Sequence, residues 1–365
     1  MQRIGVVLLL IGLLLLFLPG CTELGFLPTV GVNITINLGG QQGPRAYVTN
    51  PGNRTVDVID AGAHSLLASI DVGGEPIAVA IANKKAYVTM QNTTDVIVID
   101  TITNRVIQTA TGHLSGHVAR TFADKVYIVG GPNGSPVTII DSLTGASTTL
   151  ELLQACLVDI TFAAEKAYIA HASHSRCSII DTQSNTHLST IQLTTGNYNH
   201  CATANGKVYV AAFGNEGVHV IDPATDSVTG IVILSSSENP GTHDLTAYNN
   251  RLYAPLFNDG VVVVIDAVTD TVVNPGIPLD WGVTTCVVSS GKVYVADQDK
   301  TFVIDPSTDT VLKVIPSGSE QMFADGAGQV YLLQDDEIIV IDSDSDTIVA
   351  SIPTGGQLGD IAFLP

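Results

Sequence analysis

Asp159, His200 and Asp244 stand 41 and 44 residues apart, with Asn199 directly before His200 and His243 directly before Asp244. Two carboxylates and an imidazole brought to one place could hold a divalent metal ion, or divide the work of a general acid and a general base. His117 is a further imidazole of the same kind. Tyr198 and Trp281, the only tryptophan, are large aromatic side chains that suit ligand contact. The chemistry depends on whether the fold converges these residues. The same polar side chains could instead cap neighbouring backbone N–H groups around a water-filled pore.

The elements that would position them are repeats. Tyr47, Tyr87, Tyr127, Tyr168, Tyr209, Tyr253, Tyr294 and Tyr331 are spaced 40, 40, 41, 41, 44, 41 and 37 residues apart. Each is followed by an Ile-Asp pair, ending at Asp60, Asp100, Asp141, Asp181, Asp222, Asp266, Asp305 and Asp342. A repeat of about forty residues built from short β-type runs is the pattern of a propeller blade. In the second unit, residues 76–82, 85–90, 95–100 and 105–109 read as strands A to D, rich in Val, Ile and Thr and separated by polar breaks. Each Ile-Asp aspartate opens a turn such as DTITN or DPATD. Its carboxylate is suited to accept turn N–H groups, and the closing Asn, Asp or Gly tolerates the left-handed conformation. The run 342–346 lacks the glycine and the distal glutamate of a calcium loop and reads as one more turn.

The first unit starts at strand B, and residues 355–363 match residues 73–81, so the C-terminus supplies the missing strand A. A ring closed in this way removes exposed sheet edges. The fold class is therefore all-β: an eight-bladed β-propeller of four-stranded antiparallel blades over 45–365, with seven blades as the alternative. Residues near the start of each strand A share a register at the channel mouth: Asp360, Ala78, Val118, Asp159, His200, Asp244, Thr285 and Met322. One position earlier stand Gly359, Ile77, His117, Val158, Asn199, His243, Thr284 and Gln321. Loops that converge on this mouth are where a ligand would bind.

Outside the repeats, Arg3 and the apolar run 4–17 end at Leu18-Pro19-Gly20-Cys21, the layout of an export signal. A cysteine at the cut predicts a lipoprotein: signal peptide 1–20, a lipidated Cys21 with its tether over 21–44, then the propeller. The expected location is extracytoplasmic, on the outer membrane or periplasmic side in a two-membrane bacterium. An uncleaved anchor is the alternative. Residues 30–38 alternate in a way that suits an extra outer strand. Asp and Glu outnumber Lys and Arg 35 to 15, for a net charge of −20, which excludes nucleic acid as a partner and leaves cations, proteins, glycans and neutral ligands. Cys156, Cys177, Cys201 and Cys286 show no metal or redox spacing and read as buried thiols, with a Cys156–Cys201 bridge the one conceivable pairing. His171, His174 and Arg176 form a small basic island in the hairpin of the fourth unit.

The segments Ala46-Tyr47-Val48-Thr49-Asn50 and Ala86-Tyr87-Val88-Thr89-Met90, with their Val-Ile-Asp strands, resemble the YVTN-repeat propeller family over residues 45–364. The resemblance implies an exported or surface-attached protein with no defined reaction and commonly seven blades, against eight counted here. Lactonase-like propellers of related sequence imply a hydrolase with Asp159, His200 and Asp244 at its centre. Haem d1 propellers imply a tetrapyrrole site with His117, His200 or His243 as axial ligand. The leading expectation is a binding module that needs no cofactor; a divalent metal is the one cofactor the side chains themselves suggest.

Overall fold

A computed structural model describes residues 43–110, 116–130, 136–152, 157–172, 175–194, 198–212, 217–237 and 239–364. The signal, Cys21 and the alternating run 30–38 lie outside these residues, as do Cys156 and His174. The described chain forms eight four-stranded antiparallel sheets, each one repeat long. In blade 2, strands A to D are Pro76–Ala82, Lys85–Met90, Val96–Asp100 and Arg105–Ala110, within one residue of the boundaries read from sequence. Blade 1 is completed by Ile361–Leu364, which pairs with Arg45–Asn50 in the register Ala46↔Phe363 and Val48↔Ile361. The ring is eight blades closed by the C-terminal strand; the seven-bladed alternative does not apply.

Burial explains why strands B and C are continuously apolar rather than alternating. In Ala46 to Asn50 and Val56 to Ile59 every residue is buried, because both faces of a blade pack on neighbours. The core is a series of such contacts, for example Tyr47, Val58 and Val72 of blade 1 against Val79, Val88 and Ile97 of blade 2. Each fully buried Val or Ile contributes about 1.5–3 kcal/mol. Strand D is largely exposed, alternating in some blades, with Leu66, Ile107 and Val273 exposed at the rim. A register shift recurs between strands C and D one residue before the Ile-Asp pair, as at Val98/Ile99 and Val340/Ile341. Such a bulge increases the local twist as the chain enters the turn.

The turn aspartates act as the sequence suggests. Asp60 Oδ1 accepts the N–H groups of Gly62 and Ala63 at 2.9 and 2.8 Å, and Asp266 Oδ1 those of Val268 and Thr269 at 2.7 and 3.0 Å. What the sequence conceals is the use made of the other end of each turn. The closing residue is left-handed at His64, Asn104, Asn185, Asp226, Asp270, Asp309 and Asp346, with φ between 51° and 56°. Its side chain faces the preceding blade. There, strand B of that blade offers its first residue and its tyrosine. Tyr209 Oη donates to Asp270 Oδ1 at 2.7 Å while Lys207 Nζ reaches Asp270 Oδ2 at 2.7 Å. Tyr168 and Lys166 hold Asp226, Tyr294 and Lys292 hold Asp346, and Tyr47 and Arg45 hold Asn104 in the same way. Arg251 pairs with Asp309 at 3.0 Å, and Lys125 donates to Asn185 Oδ1 at 2.7 Å. Where blade 3 ends its turn in Gly145, Lys85 donates to the carbonyl of Ser142 instead. At the closure, Gln329 bonds His64 at 2.7 Å and receives Tyr331 at 2.6 Å. The full clasp of cation and tyrosine thus occupies four of the eight interfaces; at three more the cation bridges alone, the Tyr127 and Tyr253 hydroxyls being buried without a hydrogen-bond partner among the described residues, and Gln329 takes the cation's place at the closure.

Two tests follow from this clasp. Asp226→Ala, which strands both Tyr168 and Lys166, should cost about 2 kcal/mol in urea denaturation, whereas Asp226→Asn should cost less by keeping an acceptor and a left-handed-tolerant residue. Alkali should also loosen the ring. Burial raises the clasp tyrosines Tyr47, Tyr168, Tyr209 and Tyr294 above their ordinary 10.0, and pushes Tyr127, whose buried hydroxyl has no hydrogen-bond partner among the described residues, up to about 12. The unfolded chain then ionises first, so stability is full below pH 10 and falls as pH rises from 10 through 12. Urea midpoints against pH, with tyrosinate absorbance as the second readout, check the sign.

Candidate functional site

The channel mouth is built from strand A and the loops that enter it. Asp159, Asp244 and Asp360 occupy equivalent places and do equivalent work. Asp159 Oδ2 accepts the N–H of Cys201 at 2.9 Å, Asp244 Oδ2 that of Cys286 at 2.8 Å, and Asp360 Oδ2 that of Val79 at 3.0 Å. Each carboxylate reaches from its own blade to the inner strand of the next. The second oxygen accepts the N–H of the following residue, Ile160, Leu245 or Ile361, at 2.7–2.9 Å. Three carboxylates are thus inter-blade backbone caps.

His200 sits between two of them. Its Nδ1 lies 3.9 Å from Asp159 Oδ2 and 3.7 Å from Asp244 Oδ1, and the ring is about one-third exposed. The three side chains converge, as the shared register suggests. Both distances exceed a hydrogen bond, and both oxygens facing the imidazole already accept a backbone N–H. Among the described residues no group of three His, Cys, Asp or Glu side chains is placed to hold a metal ion. The donor set is therefore a poor fit to a divalent cation. The nearby thiols are not nucleophiles: Cys177, Cys201 and Cys286 are free and buried, and burial pushes the Cys177 thiol up to about 12. The Cys156–Cys201 bridge does not form, since Cys201 is a free thiol; its Sγ lies 3.8 Å from the carbonyl of Tyr168, just as Cys286 lies 3.6 Å from that of Tyr253.

Beside His200, the mouth becomes aromatic. His243 packs on Phe257 with ring centroids 4.9 Å apart, and Phe257 meets Trp281 edge-on at 4.7 Å. Phe257 comes from the B–C hairpin of blade 6, His243 and Trp281 from the loops entering blades 6 and 7. Trp281 is 68% exposed. A cavity of about 420 Å³ lies next to it, lined by His200, His243, Asp244, Phe257 and Glu320. Burial and the neighbouring His200 hold His243 below its ordinary 6.5, so it is neutral at pH 7. Asp259 fixes the hairpin to the preceding loop by accepting the hydroxyls of Ser235 and Ser237 at 2.6 and 2.8 Å. The hairpin and loop are further joined by the bridge Thr242↔Leu256.

The remaining sequence candidates divide. His117 is exposed and lines a different cavity of about 760 Å³, on the sector formed by blades 8, 1, 2 and 3. It does not join His200. The backbone of Tyr198 and Asn199 enters strand A of blade 5 through a register shift between Tyr198 and His200; their side chains lie outside the described set. His171 is no part of an exposed basic island: it is fully buried, its Nε2 2.9 Å from Ser178 Oγ. Blade 8 also corrects the register. Gln321 pairs with Leu333, two residues past Tyr331, where His200 pairs with Ala211, two past Tyr209. Gln321 therefore takes the mouth position that the sequence alignment gives to Met322, which is buried. The 37-residue spacing into this blade hid the offset. Arg120 and Glu320 were missed altogether, although Arg120 had a signal discussed below.

No protein-family model and no curated protein sequence matches the chain. Solved structures do. Dihydro-haem d1 dehydrogenase NirN in complex with DHE superposes with a TM-score of 0.71 at 12% identity, covering 87% of this chain and 74% of that one. Apo AztD from Citrobacter koseri gives 0.66 at 17%, covering 88% and 98%. BamB from Moraxella catarrhalis gives 0.59 at 14%, covering 81% and 93%. The shared feature is the β-propeller fold. At these identities the likeness carries no activity across.

The capping role has its own test. Asp244→Ala removes the acceptor for Cys286 N–H and Thr285 Oγ1 and should cost about 1–3 kcal/mol. His200→Ala should stay within about 0.5 kcal/mol of wild type. Urea midpoints of the two variants separate a structural carboxylate from one held only for His200.

Proposed function

We propose that the chain is an exported, YVTN-type propeller, tethered by a lipid on Cys21, that works as a binding module through its loop face. The observation that carries this reading is the rim made by His243, Phe257 and Trp281. An indole left 68% exposed while braced edge-on by a second ring is an anchor that presents apolar area at little entropic cost. The adjoining cavity supplies polar partners in His200, His243 and Glu320. A protein, a glycan or a small ligand with an apolar face fits this chemistry.

The hydrolase reading retains one supporting observation, the approach of His200 to both Asp159 and Asp244. Against it stands the cap role, which Asp360 performs in the same way at another blade and which by itself accounts for both carboxylates. The tetrapyrrole reading has only the fold likeness to NirN behind it, together with His117 in the cavity of about 760 Å³.

Trp281 is the only tryptophan, so its emission reports on this rim alone. Titration of the mature domain with oligosaccharides and peptides should shift that emission for at least one class, and Phe257→Ala should weaken the same ligand about tenfold. Emission unmoved by every class, or affinity unchanged in Phe257→Ala, would contradict the reading. For the anchor, Cys21→Ser should release the protein from membranes and remove the acyl mass from the mature N-terminus.

A further inference from the structure

The strand-A residue paired with each strand-B tyrosine lies on the innermost strand of its blade. Around the ring these residues are Ala362, Ala80, Arg120, Thr161, Ala202, Thr246, Val287 and Phe323. Seven are small, apolar or hydroxylic, and one is a cation. Arg120 is exposed although it lies on an inner strand, and its one described hydrogen bond is from Nη1 to the carbonyl of Ala119, 3.0 Å away. The Asp360 carboxylate, lining the same mouth cavity, interacts with its charge, and with five N–H donors the guanidinium keeps capacity for a second carboxylate.

Its position matters as much as its charge. Arg120 lines both the mouth cavity of about 760 Å³ and a second cavity of about 430 Å³ in the channel body, so it stands at their junction. Arg54, in the B–C hairpin of blade 1, lines the same mouth cavity, as do His117, Gln91, Gln321 and Gln357. On this chain free cations are scarce. Of fifteen Lys and Arg residues, seven (Arg45, Lys85, Lys125, Lys166, Lys207, Arg251 and Lys292) are spent in the clasp. Two of the remainder meet in one cavity.

Acidic groups also border it, and they narrow the ligand. Asp360 has both oxygens occupied by backbone N–H groups, and Glu75 lies at the rim. With a net charge of −20 around it, a compact, highly charged anion is disfavoured. A ligand whose negative groups are spread apart can place one on Arg120 and another on Arg54, with its body against Ile77, Leu358 and Phe323. We propose that this sector of the channel mouth is a binding site for a small organic polycarboxylate, with Arg120 as the inner and Arg54 as the outer carboxylate clamp. Bidentate carboxylate recognition is the chemistry that arginine performs and lysine does not. The site is separate from the Trp281 rim and does not depend on it.

Calorimetric titration of the mature domain with succinate, citrate and benzenetricarboxylate at constant ionic strength tests this. At least one of the three should bind, and the neutral triethyl ester of citrate should not. R120Q should weaken binding about tenfold or more, R120K should fall between, and R54Q should weaken it severalfold. R176Q, which removes a cation outside this cavity, and W281A should leave affinity unchanged. Thermal melts confirm that each variant is folded; should R120Q fail to fold, R120K and R54Q carry the test. Absence of binding for all three acids, equal affinity in the folded Arg120 variants, or binding of inorganic phosphate in their place would overturn the site.

Discussion

The ring leans on one repeated contact, in which the first residue of strand B, joined at four interfaces by the strand's tyrosine, grips the end of the next blade's C–D turn. Apolar faces alone attract without fixing angle or height. The clasp adds direction. Its acceptor must sit at the turn's last position, because there the left-handed backbone turns the side chain out toward the preceding blade. This explains two sequence features together: a Lys or Arg two residues before most repeat tyrosines, and Asn or Asp rather than Gly at most turn ends. It also explains how a strongly acidic protein tolerates its charge, since several of its carboxylates are paired or are capping turns.

A second set of carboxylates does similar work at the inner end of the blades. Asp159, Asp244 and Asp360 stitch strand A of one blade to strand A of the next. The ring is thus fastened at its turn side by clasps and at its mouth by caps, and the loops around the mouth are relieved of structural duty. That division is what allows one sector to carry an aromatic rim and another to carry arginines. The rim and the arginines lie in different cavities, so the mouth has two chemistries rather than one.

Much of this was legible in the sequence, and the limits have physical causes. The blade count, the closure by residues 361–364 and the turn role of the eight Ile-Asp aspartates follow from period and local chemistry, which a linear chain displays. The convergence of Asp159, His200 and Asp244 followed from register alone. Their bonding did not, because whether a carboxylate faces an imidazole or a neighbour's N–H depends on the stagger between blades. The clasp escaped for the same reason: Lys207 and Asp270 are partners across 63 residues, and nothing local links them. His171 misled because a hairpin position was taken to mean exposure. Blade 8 misled because its short spacing moved the register by one, placing Gln321 at the mouth and burying Met322.

The measurement that bears most directly on this account is a double-mutant cycle across the interface of blades 5 and 6, pairing Tyr209→Phe with Asp270→Ala and reading stability in urea. A directional clasp predicts a coupling of about 1–3 kcal/mol between the two sites, as Tyr209 Oη and Asp270 Oδ1 lose value only as a pair. Additive effects would contradict it, and would leave the blades held by apolar packing and the mouth caps.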